Sequence, residues 1–550
     1  MSQRHETAPR LRDTLREESG SLLAIAGVWA LALAIVGLGP DVPLQDDWTY
    51  AWSVEHLLET GRFDVLQWSL HFPLFQVYWA GGFAKLFGFS FGVLRASSLT
   101  LAMTATFVLH LLLRELGVDR RASLLAALTF ALNPIVFVLA FTFMTDVPLY
   151  ALTLASAYAF VGGHTRSRPS WSWAGAGIAV AAFLARQIGI VTPVVALPMV
   201  VAAWPDWRSM LRRAAPLAVA WAAMGAASVA LTTFVGPTSY MLTKLQSLEG
   251  LLLVPIGQYL NYNLFSLLQA SFALLPMLSA LVAARAVSWR VVAVFALVCA
   301  GGLVARFGHL PVALSPGESW SLVELGSSLE LLPGGQPRDP AGALDVTLQV
   351  LGPLAMGALF AVAWSCVRAR RPLPAVVWGV ALLAFVHVLE LNALWLYVDR
   401  YVMMTLPLVL ALVAWATSGV RLARSAGVAV LALWFAVDVV GTRFAMRVNA
   451  EAMTLWHEVQ ASGVPAWEID AGYTINGWML YAHPERLAPG MDPDRDVPFV
   501  TASRTAEWLI GHAPVEGYDV VRVVTWADLP WPSRHRLYVL RRAGRGQVLP

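Results

Sequence analysis

The residues of this 550-residue chain best suited to chemistry are a few acids and bases at the ends of long apolar runs. Asp46 and Asp47 stand side by side, with Asp41, Glu55 and His56 close in sequence. Asp146 lies between two apolar runs, and Arg186 and Gln187 end another. Glu390, Asp399 and Arg400 end a later one, and Asp438 falls near the end of the last. Ionisable groups at membrane depth are costly and are functional candidates by default. Carboxylates of this kind serve as general bases, and arginines hold anions through a planar fork of donors. No P-loop, dinucleotide fingerprint, metal-finger spacing or nucleophile elbow occurs, and His56 and His71 lack the spacing of metal ligands.

Each residue also has a plainer reading. An acid that opens a helix, as Asp46, Asp47 and Asp146 would, is often a cap interacting with the helix dipole, worth about 0.3–1 kcal/mol. Val147-Pro148 after Asp146 suits an early-helix proline. An isolated Arg186 or Arg400 would snorkel to headgroups, and Glu390 would pair with His387 or a neighbouring arginine. The functional reading rests on their shared location.

That location follows from the apolar runs. Hydrophobic residues make up 58% of the chain and charged residues 13%, about half the share usual in soluble domains. A net charge of +3, with basic residues in short clusters between apolar runs, speaks for membrane topology and against nucleic-acid binding. Cys299 and Cys366 both fall within or at the end of apolar runs, so they say little about compartment. Crossing ~30 Å of hydrocarbon takes about 20 apolar residues. On that length the sequence predicts thirteen transmembrane helices, near 21–40, 95–113, 122–141, 146–163, 172–187, 188–204, 214–235, 261–284, 290–307, 345–366, 373–396, 401–419 and 425–441. With the N-terminus inside, the predicted cytoplasmic loops carry nineteen Lys and Arg, and the longer outer loops before the tail only eight. Counting the apolar stretch 72–94 as a span would invert every later loop. It is therefore expected to lie in the interface, with Trp68, Tyr78 and Trp79 at headgroup depth. All the chemically interesting residues then fall on the outer side.

The fold class expected is an all-α polytopic membrane protein with a small C-terminal α+β extracytoplasmic domain. Residues 1–20 form a cytoplasmic tail and 21–441 the transmembrane domain, in which 41–94 is a first outer loop with juxtamembrane helices. Residues 442–550, with short alternating stretches at Val520–Val524 and Leu537–Leu540, form the outer domain. A bacterial-type inner membrane is the expected location.

Several motifs then resemble a known superfamily. Asp46-Asp47-Trp48-Thr49-Tyr50-Ala51 resembles the acidic pair followed by Tyr-Ala in the first outer loop of integral-membrane GT-C glycosyltransferases. The nearest pattern is that of the protein O-mannosyltransferase and lipid A aminoarabinose transferase families. Asn133-Pro134 with Phe143-Met144-Thr145-Asp146-Val147-Pro148 resembles their second acidic motif. Leu184-Ala185-Arg186-Gln187 resembles their basic position, and Asp399-Arg400-Tyr401 with Pro407 their Arg-Tyr…Pro motif. Where several relatives carry Lys-Pro-Pro, this chain has His71-Phe72-Pro73.

The resemblance implies a glycosyltransferase that takes a sugar from a polyprenyl-phosphate donor entering sideways from the bilayer. It implies Asp46 as general base, with Asp47 or Asp146 orienting the acceptor or holding a divalent metal. Arg186 and Arg400 would bind the donor phosphate. Tyr50, His71, Gln187, Glu390, Asp399 and Tyr401 would contact the acceptor or support the site. Expected partners are membrane lipid, the lipid-linked donor and a glycan, lipid or protein acceptor. Two other classes compete. A transporter or flippase of a lipid-linked substrate would show paired broken helices and charges deep in its spans, and a structural subunit would not need the acidic pair.

Overall fold

The computed structural model describes residues 15–243, 255–311, 343–370, 372–392, 399–497, 506–527 and 534–544. The molecule is mostly helical. Among the described residues, seven helices are long and apolar enough to cross a membrane: Ser19–Val36, Phe91–Glu115, Trp207–Phe234, Trp289–Phe307, Val346–Ala369, Ala375–Asn392 and Arg424–Ala461. Two bent pairs, Arg120–Ala131 with Pro134–Ala140 (65°) and Ile256–Ala273 with Leu275–Ala283 (62°), bring the number to nine if each is one span. Exposed Leu23, Leu31, Val219, Val229, Leu297, Val298 and Leu433 give these helices the apolar outer surface that lipid demands.

The remaining expected spans fall on helices and 3₁₀ segments that are shorter or less apolar. Asp146–Thr165 is buried along most of its length. Pro169–Ala185 is followed by a 3₁₀ segment, Gln187–Ala196, and the short helix Leu197–Val201. Another 3₁₀ segment, Asp399–Met404, precedes the eleven-residue helix Leu406–Ala416.

Local chemistry sets many of the boundaries. Ser90, Asp119, Asn133 and Asp206 each accept a backbone N–H in the first turn of the helix that follows. Asn133 does so immediately before Pro134, whose missing N–H costs nothing at a helix start. The cap and the proline together account for the 65° bend there. Gly61 ends the helix Asp47–Thr60 in the left-handed conformation, at φ 71°. Just before Ser19–Val36, buried Glu18 accepts from His110 Nε2 (3.0 Å), Arg114 Nε (2.8 Å) and Arg120 Nε (3.1 Å), fixing that helix to Phe91–Glu115 and Arg120–Ala131.

The helices Asp47–Thr60 and Leu74–Phe87 lie in the loop 41–94, between Ser19–Val36 and Phe91–Glu115. The expected boundary at 441 falls inside the continuous 38-residue helix Arg424–Ala461. The C-terminal half of that helix belongs to a second hydrophobic core. There Val448, Ala452, Leu455, Trp456 and Val459 pack with Ile469, Ile475, Leu480 and strand residues Trp508, Ile510 and Val539. Val42, Trp48 and Leu66 of the loop 41–94 lie in the same core. The loop and the C-terminal region are thus one packed body. Its sheet comprises β1 (Ile469–Asp470), β2 (Trp508–Gly511), β3 (Tyr518–Ala527) and β4 (Arg534–Arg542) in the order β1-β2-β4-β3. β1 is parallel to β2 and the other pairs are antiparallel, with an irregularity in β3 between Val520 and Arg522.

Candidate active site

Four separate segments deliver alternating acids and arginines to one place. Asp46 precedes the helix Asp47–Thr60, but its carboxylate makes no capping bond. Instead Oδ2 accepts from Arg400 Nη1 at 3.0 Å and Oδ1 from the Tyr473 hydroxyl at 2.5 Å. Asp146, the first residue of Asp146–Thr165, accepts from Arg186 Nη1 at 2.6 Å. Its other oxygen lies 4.0 Å from Arg400 Nε. Arg400 therefore bridges the two carboxylates. The Tyr401 ring lies 5.3 Å from the Arg186 guanidinium and 5.7 Å from that of Arg400.

The backbone beside this cluster is irregular where each group is presented. Gln45, just before Asp46, has φ 57°, a left-handed conformation that costs a non-glycine residue about 1–2 kcal/mol. Arg186 caps the end of Pro169–Ala185 in an extended conformation, at φ −161°. Arg400 lies in the 3₁₀ segment Asp399–Met404. Gly189 permits the turn after Arg186. A Cβ there would meet the Ala182 carbonyl carbon at 2.6 Å.

Around the four charges sits a ring of supporting groups. His71 Nε2 lies 3.0 Å from Thr145 Oγ1, and the His71 ring is 5.4 Å from that of Tyr50. Burial, then the nearby Arg186 and Arg400 cations, hold His71 well below the usual imidazole range, so it is neutral. Burial and the Asp46 carboxylate push the Tyr50 hydroxyl upward. Gln187 exchanges two hydrogen bonds with the Phe72 backbone, each 3.1 Å, and so braces the stretch after His71. Trp68 donates to the Tyr473 hydroxyl at 3.0 Å and stacks on Tyr240 with ring centres 5.1 Å apart.

Asp46, Asp146, Arg186, Arg400 and Tyr401 are thus brought together, with Tyr50, His71 and Gln187 beside them. Three predicted residues are placed otherwise. Asp47 is fully buried and accepts from the Leu44 backbone at 2.6 Å. Burial raises its carboxyl to about 7, against the pull of the Arg95 cation. Glu390 takes the plainer alternative, bonding His387 Nδ1 at 2.7 Å. The Asp399 side chain lies outside the described residues. Asp438 is buried in Arg424–Ala461 with neither carboxylate oxygen hydrogen-bonded. Among the described residues, no three His, Cys, Asp or Glu side chains gather as a metal site would require.

Sequence reasoning missed Thr145, Tyr240 and Tyr473. Thr145 stands next to Asp146 inside a motif already marked. Tyr473 had no signal, because its partner Asp46 is 427 positions away.

Residues 71–234 match the model of a family described as dolichyl-phosphate-mannose-protein mannosyltransferase. That segment holds His71, Asp146, Arg186 and Gln187, and the match agrees with the resemblance carried by the sequence motifs. No curated protein sequence matches the chain. Similar solved structures include the S. cerevisiae protein O-mannosyltransferase Pmt1-Pmt2 complex bound to the sugar donor, at 18% identity over 41% of this chain and 35% of that one, with TM-score 0.34. The chain therefore spans about a third of that relative's length. ArnT from Cupriavidus metallidurans bound to undecaprenyl phosphate is 15% identical over 96% and 99% of the two chains, TM-score 0.40. The Archaeoglobus fulgidus oligosaccharyltransferase AglB, in complex with an inhibitory peptide and a dolichol-phosphate, is 13% identical over 80% and 56%, TM-score 0.39.

Proposed function

We propose that this chain transfers a sugar from a polyprenyl-phosphate donor to an acceptor hydroxyl on the outer face of the membrane. The observation that carries the reading is the alternation Asp46–Arg400–Asp146–Arg186, assembled from four segments at one end of the helices. The family match over residues 71–234 supports the same reaction class.

In this reading the acceptor oxygen attacks the anomeric carbon while the bond from that carbon to the phosphate oxygen breaks, with inversion in a single displacement. Asp46 takes the acceptor's proton, assistance typically worth ~10²–10⁴ in rate. Arg186 and Arg400 hold the departing phosphate, whose charge grows as the bond breaks. Asp146 fixes the Arg186 guanidinium and Asp46 that of Arg400 in advance, so little reorganisation is needed during reaction. His71, neutral beside two cations, offers a hydrogen bond without adding charge. Asp47, by its burial and its bond to Leu44, shapes the loop that presents Asp46.

The finer topology belongs to the same proposal. Thirteen spans, a cytoplasmic N-terminus, an outer 442–550 region and a bacterial-type inner membrane put the cluster where a lipid-linked donor enters sideways. The acceptor is a glycan, lipid or protein hydroxyl. Of the two acids expected to orient the acceptor or hold a divalent metal, Asp47 is buried against the Leu44 backbone and Asp146 is bonded to Arg186, so the donor set does not fit a metal.

The test compares transfer of labelled sugar from membrane polyprenyl-phosphate donors by wild type and Asp46→Asn at matched expression. We expect transfer to fall at least a hundredfold. Wild-type transfer by the variant would remove Asp46 from the mechanism. A chain that transfers from no donor would instead favour transport of the lipid-linked substrate.

A further inference from the structure

The proposed base already carries a hydroxyl. Tyr473 Oη donates to Asp46 Oδ1 at 2.5 Å, while Oδ2 is taken by Arg400. An acceptor alcohol would present the same chemical group to the same carboxylate. Trp68 Nε1 donates to the Tyr473 oxygen at 3.0 Å and fills one of its lone pairs, which leaves the hydroxyl proton directed at Asp46. The aromatic ring meets Trp48 edge-on at 5.9 Å and Trp68 at 6.4 Å.

The segment that carries this tyrosine is braced. Asp470 Oδ1 accepts from the Gly472 backbone (2.9 Å) and from Asn476 Nδ2 (2.7 Å), closing the turn around Tyr473. Gly472 turns the chain at φ 79°. Gly477 lies against Trp48 so closely that a Cβ would come within 2.3 Å of the indole. The C-terminal region thus presses one side chain into a cluster built otherwise by the transmembrane helices and the first outer loop. Burial and the Asp46 charge push the Tyr473 hydroxyl well above its usual range, so it stays protonated as a donor.

We infer that Tyr473 occupies the acceptor-hydroxyl position on Asp46 Oδ1 and, although the Asp46 side chain is 26% exposed, keeps water from that oxygen until an acceptor displaces it. The inference rests on Asp46 as the general base. An uncovered Asp46 would accept a proton from water. The water oxygen would bond the anomeric carbon as the bond to phosphate breaks, releasing free sugar and polyprenyl phosphate. Tyr473 therefore protects the lipid-linked donor from hydrolysis, and the C-terminal region makes transfer conditional on the acceptor.

The experiment uses full-length protein in phosphatidylethanolamine–phosphatidylglycerol vesicles and compares wild type, Tyr473→Phe, Asp46→Asn and the double variant. Phenylalanine keeps the ring packing and removes only the hydroxyl. The first readout needs no donor: carbodiimide labelling of Asp46, located by mass spectrometry, rises severalfold in Tyr473→Phe. Unchanged labelling overturns the inference. The second is release of soluble sugar, without acceptor, from whichever labelled polyprenyl-phosphate donor the wild type uses in transfer. We expect about a tenfold rise in Tyr473→Phe, in line with loss of one hydrogen bond to a charged group. Increased labelling without increased release also overturns it, since Tyr473 would then shield Asp46 without holding back water. A rise that persists in the double variant sinks Asp46 as base, while the labelling result still reports whether Tyr473 covers it.

Discussion

The charges at the site are coupled closely enough that removing one exposes another. Arg186 is 11% exposed and Asp146 1%, so breaking that pair leaves a buried cation. Asp146→Ala should lower stability by about 3–5 kcal/mol, whereas Asp146→Ala with Arg186→Met should regain most of it. Thermal unfolding in detergent distinguishes these outcomes, and equal losses in both variants would contradict the paired description. Neither variant should transfer sugar. Arg186→Lys keeps the charge and loses the fork, and should reduce transfer about 10²-fold. Asp47 supplies a pH test. Its carboxyl is raised from 3.8 to about 7, so the folded state holds that proton more tightly than the unfolded chain does. Its burial costs little below pH 4, and the cost grows as pH rises from 4 through 7. Wild type should therefore lose more melting temperature between pH 5 and pH 8 than Asp47→Asn, and parallel slopes would count against an acid buried in this way.

At the scale of elements, the site depends on ends and breaks of helices. Asn133 caps Pro134–Ala140 through bonds to Ile135 N (3.0 Å) and Val136 N (3.4 Å). Asn133→Ala should cost about 1 kcal/mol, readable as a small fall in melting temperature. Trp48 is wholly buried, and the Gly477 backbone lies against its ring. Gly477→Ala forces one of them to move, at a cost of about 1–3 kcal/mol by overpacking. Because Tyr473 lies one turn away, the same variant should raise carbodiimide labelling of Asp46. A stable variant with wild-type labelling would show that Trp48 and the Gly472–Tyr481 stretch move independently of the site.

For the whole molecule, the testable quantity is which side each loop faces. With Cys299 and Cys366 replaced, single cysteines at Thr60 and Glu516 should react with an impermeant maleimide added to intact cells. One at Arg208 should react only after the membrane is opened. Reaction of Arg208 from outside would reverse the orientation read from the basic residues.

Much of this was legible from the chain alone. The apolar runs fixed the helical class, because backbone polar groups in lipid must be satisfied within each segment. The basic loops predicted an orientation, and the local patterns 46–51, 143–148, 184–187 and 399–401 marked the residues that the structure gathers. The bend at 274 and the 3₁₀ turn at 187–196 were not legible from hydropathy, since both lie in apolar sequence, whereas Asn133-Pro134 and Asp399-Arg400 do interrupt theirs. Nor was the helix that runs through residue 441, whose C-terminal half turns apolar residues toward protein rather than lipid. Which partner each acid meets was decided only by tertiary structure. Asp46 and Asp47 are neighbours in sequence, but successive residues at a helix start point in different directions, one to Arg400 and Tyr473, the other to the Leu44 backbone. Composition and periodicity record what each segment must bury. They carry no record of contacts such as Asp46 with Tyr473, which exist only because two remote segments share one core.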